Sequence, residues 1–299
     1  MPEPVRVLLT GRHGQLGRAL TASVPAGIDL IATGRGELDL ADAAACRAAV
    51  QQHRPDWVLN AGAYTAVDRA ESEPELAEAV NAGAPGAFAD ALADSGGRLL
   101  QVSTDFVFDG EQGRPYRPEQ PVQPLGVYGA TKAEGERRAE AALPPERLCL
   151  LRTSWVYGPV GANFCLTMLR LHRAKAAAGD PLGVVADQVG CPTSTAGLAA
   201  ASWQAIGRGV AGRHHWSDSG AASWYDFAVA IGALAAQRGL IETPARVRPI
   251  TTADYPTPAR RPAYSLLDCT TTRRALDLEG QHWQAALAEV LAQLPLPQA

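Results

Sequence analysis

Tyr128 and Lys132, one helical turn apart, are the clearest candidates for chemistry in this chain. They stand in the run Tyr128-Gly129-Ala130-Thr131-Lys132, and the i, i+4 spacing puts both on one face of a helix. A fixed ammonium beside a phenol favours the phenolate and is expected to pull the tyrosine below its usual pKa of about 10. A tyrosine so tuned can pass a proton near neutral pH. Lysine usage marks the pair: of 27 basic residues only Lys132 and Lys175 are lysine, and the rest are arginine. The two cations interchange as solubilising charge, but not where a compact ammonium on a slim stem must reach one point. The spacing alone also fits a tyrosine and a solvated lysine on an amphipathic helix, so further features must decide.

The first such feature is an apolar strand, Leu99-Leu100-Gln101-Val102, that ends in Ser103, Thr104 and Asp105. In open parallel sheets ligands bind outside the carboxyl ends of strands. Ser103, Thr104 and Asp105 would then lie near a cofactor ring, and Thr104 could hydrogen-bond a substrate oxygen or the Tyr128 hydroxyl. Three small polar residues also suit a turn cap. Another strand, expected over 57–61, ends in Asn60-Ala61-Gly62-Ala63, where Ala61 and Ala63 let a cofactor lie against the backbone.

The second feature is a phosphate loop. The first strand, Val5–Thr10, runs into Gly11-Arg12-His13-Gly14-Gln15-Leu16-Gly17, with a helix beginning near Gln15. Gly11 permits the tight turn, Gly14 a close approach to a pyrophosphate, and Gly17 close packing of helix on strand. The helix N-terminus adds N–H donors and partial positive charge. After the second strand stands Arg35, where an acid is usual for a ribose 2'-hydroxyl; a guanidinium suits a 2'-phosphate, hence NADP over NAD. Asp39 and Leu40 follow and could flank the adenine.

These pieces need a scaffold. Strands at 5–10, 29–33, 57–61, 99–103 and 148–153 alternate with helices at 16–23, 43–53, 74–95 and 128–142. That alternation predicts an α/β fold, a Rossmann-type doubly wound parallel sheet. The remainder, with helices at 164–178, 224–238 and 283–294, suggests a smaller C-terminal α/β domain for substrate. The boundary is placed near residue 160, with some segments returning to the first domain. The stretch holding Pro244, Pro249, Pro256, Pro258 and Pro262 reads as ordered loop. With 299 residues, 46% hydrophobic and net charge -4, the chain shows no general pull towards nucleic acid or membrane. It shows no signal peptide, and five scattered cysteines without a CxxC suit the reducing cytoplasm.

Several longer runs resemble the extended short-chain dehydrogenase/reductase family, and within it the dTDP-4-dehydrorhamnose reductases. They are Gly11–Gly17, Thr65-Ala66-Val67-Asp68-Arg69-Ala70-Glu71, Ser103–Phe108, Tyr128–Lys132, Arg152–Tyr157, Asn163-Phe164, Asp187–Thr193 and Tyr255–Pro262. The resemblance implies reduction of the C4 keto group of a dTDP-linked sugar by NADPH, with NADH left open. Tyr128 would donate the proton, Lys132 would hold the nicotinamide ribose, and Thr104 would orient or tune the pair. Thr104, Asp105 and Trp155 would contact the sugar. His13, Gln15, Leu16 and Thr65 would join the cofactor site. Arg261 is a candidate partner for the substrate diphosphate by its charge. No metal site is expected, because no acidic set matches the magnesium ligands of some members. A homodimer is left open. Phe106 stands where the family commonly has tyrosine. Two alternatives are an epimerase or dehydratase of the same superfamily and a non-catalytic partner like the regulatory subunit of methionine adenosyltransferase. A dehydratase would want Glu beside Asp105, and Phe106 is there instead.

The lysine argument is open to test. Lys132→Arg keeps the charge but brings a broad planar fork, and it should remove most of the activity. Lys175→Arg, assayed beside it, should change turnover by less than about twofold. Full activity in both would make the scarcity of lysine accidental.

Overall fold

In the computed structural model, which describes residues 3–297, six strands pair into one parallel sheet. They are β1 Val5–Thr10, β2 Ile28–Thr33, β3 Trp57–Asn60, β4 Arg98–Thr104, β5 Leu148–Thr153 and β6 Gly212–Trp216. The order across the sheet is β6-β5-β4-β3-β1-β2, so its direction of growth reverses between β1 and β3. Central parallel strands are covered on both faces, which is why β1, β3, β4 and β5 are rich in apolar residues, whereas the edge strand β6 reads Gly-Arg-His-His-Trp. Successive side chains point to opposite faces. Leu9, Leu59, Leu100 and Leu151 face one layer, made by α1 (Gln15–Ala22) and a later helix, Thr195–Gly207. Leu8, Val58, Leu99 and Leu150 face the other, made by α2 (Ala43–His53), α3 (Ala84–Ser95) and α4 (Val127–Ala142).

The doubly wound sheet expected from the alternation is therefore present. Thr195–Gly207 and β6 return to it from late in the chain. The helices α5 (Phe164–Ala178), α6 (Trp224–Gln237) and α7 (Trp283–Ala292) form a second core around Tyr157, Met168, Phe227, Ile231 and Leu287.

Two expectations need correction. The helix expected over 74–95 is broken by a π-helical turn at Ala79–Gly83, between Pro74–Glu78 and α3. An Ala-rich run carries no local mark of such a turn. Its cause is tertiary: Asn81 turns inward to bond Tyr64 and Thr131. The Pro-rich stretch contains a strand, Val247–Ile250, paired parallel with Leu182–Val185. Pro249 is tolerated because this two-stranded ladder uses only one edge of the strand.

The wide turn matters because α4 packs on it without a spacer. A Cβ at Gly135 would stand 2.1 Å from the Asn81 carbonyl oxygen, and one at Gly129 would stand 2.1 Å from the Phe106 carbonyl oxygen. Gly135→Ala is therefore expected to lower stability by about 2 kcal/mol or more through overpacking. Gly207→Ala meets nothing within 4 Å and should change it by less than about 0.5 kcal/mol. Urea unfolding of the two variants would measure this, and equal midpoints would show that α4 can shift freely.

Candidate functional site

The reversal of strand order opens a crevice outside the carboxyl ends of β1, β3 and β4. A buried polar chain fixes those ends. Thr10 donates to Asn60 (2.6 Å), Asn60 Nδ2 donates to Gln101 (2.7 Å), and Gln101 Nε2 donates to the Val102 carbonyl (2.8 Å). The same Val102 carbonyl accepts the Lys132 ammonium at 2.7 Å. Lys132 is buried, and Tyr128 is half-buried one turn before it. Thr104, Asp105 and Ser103 are all buried beneath them at the end of β4. Thr104 donates to Asp105 Oδ1 (3.1 Å) and accepts the Phe106 N–H. The Phe106 ring meets Tyr128 edge-on at 5.5 Å, an apolar wall where a hydroxyl would have been an extra polar contact.

Electrostatics here overturn one sequence expectation. The phenol of Tyr128 is pushed up to about 12 by burial, with the Thr104 hydroxyl pulling it down and the Asp105 carboxylate adding to the rise. The Lys132 ammonium, anchored on the Val102 carbonyl, is not among the groups that act on the phenol. Lys132 itself is lowered to about 8 by the same burial, opposed by Glu136 one turn on. Glu136 is in turn forked to the buried Arg152 (2.9 and 2.7 Å). Burial raises Asp105 to about 6 against the neighbouring Ser265 and Thr104 hydroxyls. Its Oδ2 and the Ser103 hydroxyl have no hydrogen-bond partner among the described residues.

The phosphate loop has the expected form. Gly11 is left-handed (φ +73°), and a Cβ at Gly17 would stand 2.1 Å from the Gly11 carbonyl oxygen. Gly14 caps α1 without a side chain, leaving that role open to a ligand. Beside the loop a cavity of about 270 Å³ brings together Gly11, Arg35, Asp39, Leu40 and Ala63. His13 lies over Gly34, accepting from Arg12 Nε at 3.1 Å. Leu16 is buried in the helix–sheet core, so only its backbone can serve a phosphate. Ala61 adjoins this cavity without lining it, and Thr65 is exposed at the turn beyond. The glycine cradle, the polarity of the open helix start and the unpartnered Ser103 hydroxyl fit a dinucleotide.

A second cavity, of about 660 Å³, lies between the β4 loop and the Pro-rich segment and is lined by Asp109, Leu125, Asp187, Thr252, Arg260 and Arg261 among others. Arg261 does not reach freely into it. Its two terminal nitrogens bond Asp68 at 3.1 and 2.9 Å, and one also meets Thr257. The exposed cation on that wall is its neighbour Arg260. Trp155 adopts a left-handed backbone (φ 47°) and stacks on Trp224, centroids 3.5 Å apart.

Sequence reasoning left several site-building residues unassigned. Glu71 accepts the Val127 N–H (2.9 Å) and so caps the start of α4. Asn163 caps α5 and also donates to Gln15 (2.8 Å), which ties the phosphate loop to the second core. Both lie in family-like runs that carried no role; Asn163 directly precedes α5, and a polar residue there was the available signal, whereas Glu71 caps a helix 56 residues further on. Asn81 and Ser265 gave none, because their partners are far away in sequence.

Comparison with known proteins agrees with this geometry. The family model described as RmlD substrate binding domain matches residues 5–295. The chain is 46% identical over 296 residues to the dTDP-4-dehydrorhamnose reductase of Streptomyces griseus, covering 96% of this chain and 93% of the relative. It superposes with TM-score 0.89 on a dTDP-4-dehydrorhamnose reductase crystal structure from Bacillus anthracis in complex with NADP, at 32% identity over 97% of this chain and 99% of that one. The Clostridium acetobutylicum structure of that name also gives TM-score 0.89, at 36% identity, covering 96% and 99% of the two chains.

Asp105 provides a test of how the site is held. Its carboxyl titrates near 6 in the fold against an ordinary value of 3.8. The native state therefore holds the extra proton between those values. The associated stability is full below about pH 4 and is lost as pH rises to about 6, by at most about 3 kcal/mol. Asp105→Asn should flatten that part of the stability profile and raise the melting temperature at neutral pH. Thermal melts of both proteins across this range would check it; parallel profiles would show that Asp105 is ionised without penalty.

Proposed function

The chain belongs to the RmlD substrate binding domain family, that of the dTDP-4-dehydrorhamnose reductases, and we propose that its own residues carry out C4-keto reduction of a dTDP-linked deoxysugar, dTDP-4-dehydro-L-rhamnose to dTDP-L-rhamnose. The observation that carries the residue assignment is the placement of Tyr128 and Lys132 on one face of α4, directly above Thr104 at the end of β4. NADPH, when bound, supplies the hydride that adds to C4.

The C4 oxygen gains negative charge in that step and must receive a proton. Tyr128 donates it: a phenol near 12 is fully protonated at neutral pH and ready to give. Thr104 favours the phenolate that remains, which lowers the barrier to transfer. Lys132, carrying its charge below about pH 8, adds a positive field beside the new phenolate and reaches the ribose of the cofactor. Its bond to Val102 fixes where that charge sits. Arg35, on the wall of the smaller cavity, is placed for the 2'-phosphate, and Gly11–Gly17 with the start of α1 hold the pyrophosphate. The larger cavity takes the nucleotide-sugar. Asp105 and Trp155 position the sugar, and Arg260 faces the diphosphate while Arg261 holds the wall through Asp68. Phe106 follows Asp105, so dehydration lacks the carboxylate it would want there. No helix among the described residues is long and apolar enough to cross a membrane. The five cysteines are free and buried, which suits a cytoplasmic enzyme.

Tyr128→Phe should lower turnover at least about a hundredfold, the usual scale for loss of a general acid, with NADPH affinity close to normal. NADPH oxidation with dTDP-4-dehydrorhamnose, run beside cofactor titration, measures both. Near-normal turnover would remove Tyr128 from the mechanism, and no turnover by the wild-type chain on any dTDP-linked 4-keto sugar would overturn the function itself.

A further inference from the structure

Trp155 is held in a conformation that its own chemistry disfavours. A left-handed backbone is a real outlier for a bulky residue, and it persists only where the surroundings over-determine it. Here the Trp155 carbonyl accepts the Thr193 N–H at 3.2 Å, and its indole lies almost parallel to that of Trp224, at 3.5 Å and 6°. Its ring edge is so near Gly190 that a Cβ there would stand 2.8 Å from Cε2, and 2.9 Å from the Ser265 hydroxyl. Ser265 is the neighbour that acts on Asp105, so the indole adjoins the end of β4 through one residue.

Trp224 is itself fixed on three sides. It is the first residue of α6, whose start is set by reciprocal bonds between Ser223 and Asp226. Its Nε1 donates to Gln188 (3.1 Å), and Gln188 donates to Thr252 (3.0 Å), which lines the larger cavity. Phe164 packs on its ring at 4.6 Å and continues through Phe227 into the second core. We propose that Trp224 is a positioning residue that holds the Trp155 indole in the wall of the sugar site, an inference that rests on the reading of Trp155 as a sugar contact. Trp224 acts through Trp155 and not on the substrate, so its contribution must vanish when the Trp155 ring is gone.

The test is a double-mutant cycle read in the KM for the keto sugar, in kcat and in NADPH affinity. Trp155→Ala is expected to raise that KM roughly tenfold and Trp224→Leu roughly fivefold, with cofactor affinity unchanged, in line with the size of aromatic pair effects. Trp224→Phe should restore most of the loss. Added to Trp155→Ala, Trp224→Leu should raise KM by less than about twofold. Gln188→Leu, which unpins the Trp224 N–H and leaves the ring, should give a smaller rise in the same direction and carries the test if Trp224→Leu does not fold. If Trp155→Ala leaves KM unchanged, the reading of the sugar contact fails. If Trp155→Ala raises KM but Trp224→Leu and Gln188→Leu do not, only the positioning role falls. Additive effects in the double mutant, or an equal loss of NADPH affinity, overturn it as well.

Discussion

The helix that carries Tyr128 and Lys132 reaches the strand ends because it lacks side chains at two points of contact. Gly129 and Gly135 let α4 approach the carbonyls of Phe106 and Asn81 to a distance that no Cβ would allow. That approach sets the height of Tyr128 and Lys132 over Thr104, and short polar contacts are lost within an ångström or so of displacement. Other features serve the same placement. The π turn brings Asn81 against Thr131, Glu71 caps the helix start, and the Arg152–Glu136 fork fastens its middle to β5.

The site is built at the expense of electrostatic comfort. Lys132 and Asp105 are both nearly excluded from water, and both are moved towards their neutral forms. Ser103 and one oxygen of Asp105 lack partners among the described residues. Unpaired buried polar atoms disfavour the folded chain, and they concentrate where a ligand would satisfy them. Unpartnered buried atoms also occur at the second core, on Tyr157 and His172.

Three contacts join the two halves at the site. Asp68 and Arg261 bind the family-like run at 65–71 to the Pro-rich segment. Asn163 joins α5 to the phosphate loop through Gln15. Ser265 stands against Asp105. Each pairs a residue from the first part of the chain, just outside the strands of the sheet, with one from its later part. The larger cavity therefore forms only when both halves are in register, which explains why a wall cation such as Arg261 is used to hold the loop.

The sequence by itself determined the strand–helix alternation, the phosphate loop and the Tyr128–Lys132 face, because each is a local pattern: a period, a glycine spacing, one helical turn. Thr104 and Asp105 were legible for the same reason, as the polar end of an apolar strand. Only the tertiary structure decided the rest. Whether Tyr128 titrates low or high depends on burial, which no spacing reveals, and burial pushes it up. The return of β6 to the sheet, the π turn in an Ala-rich helix and the strand through Pro249 were set by partners far away in the chain. Arg261 looked like a free cation because Asp68 is 193 residues away, and a side chain's charge does not say which partner will take it.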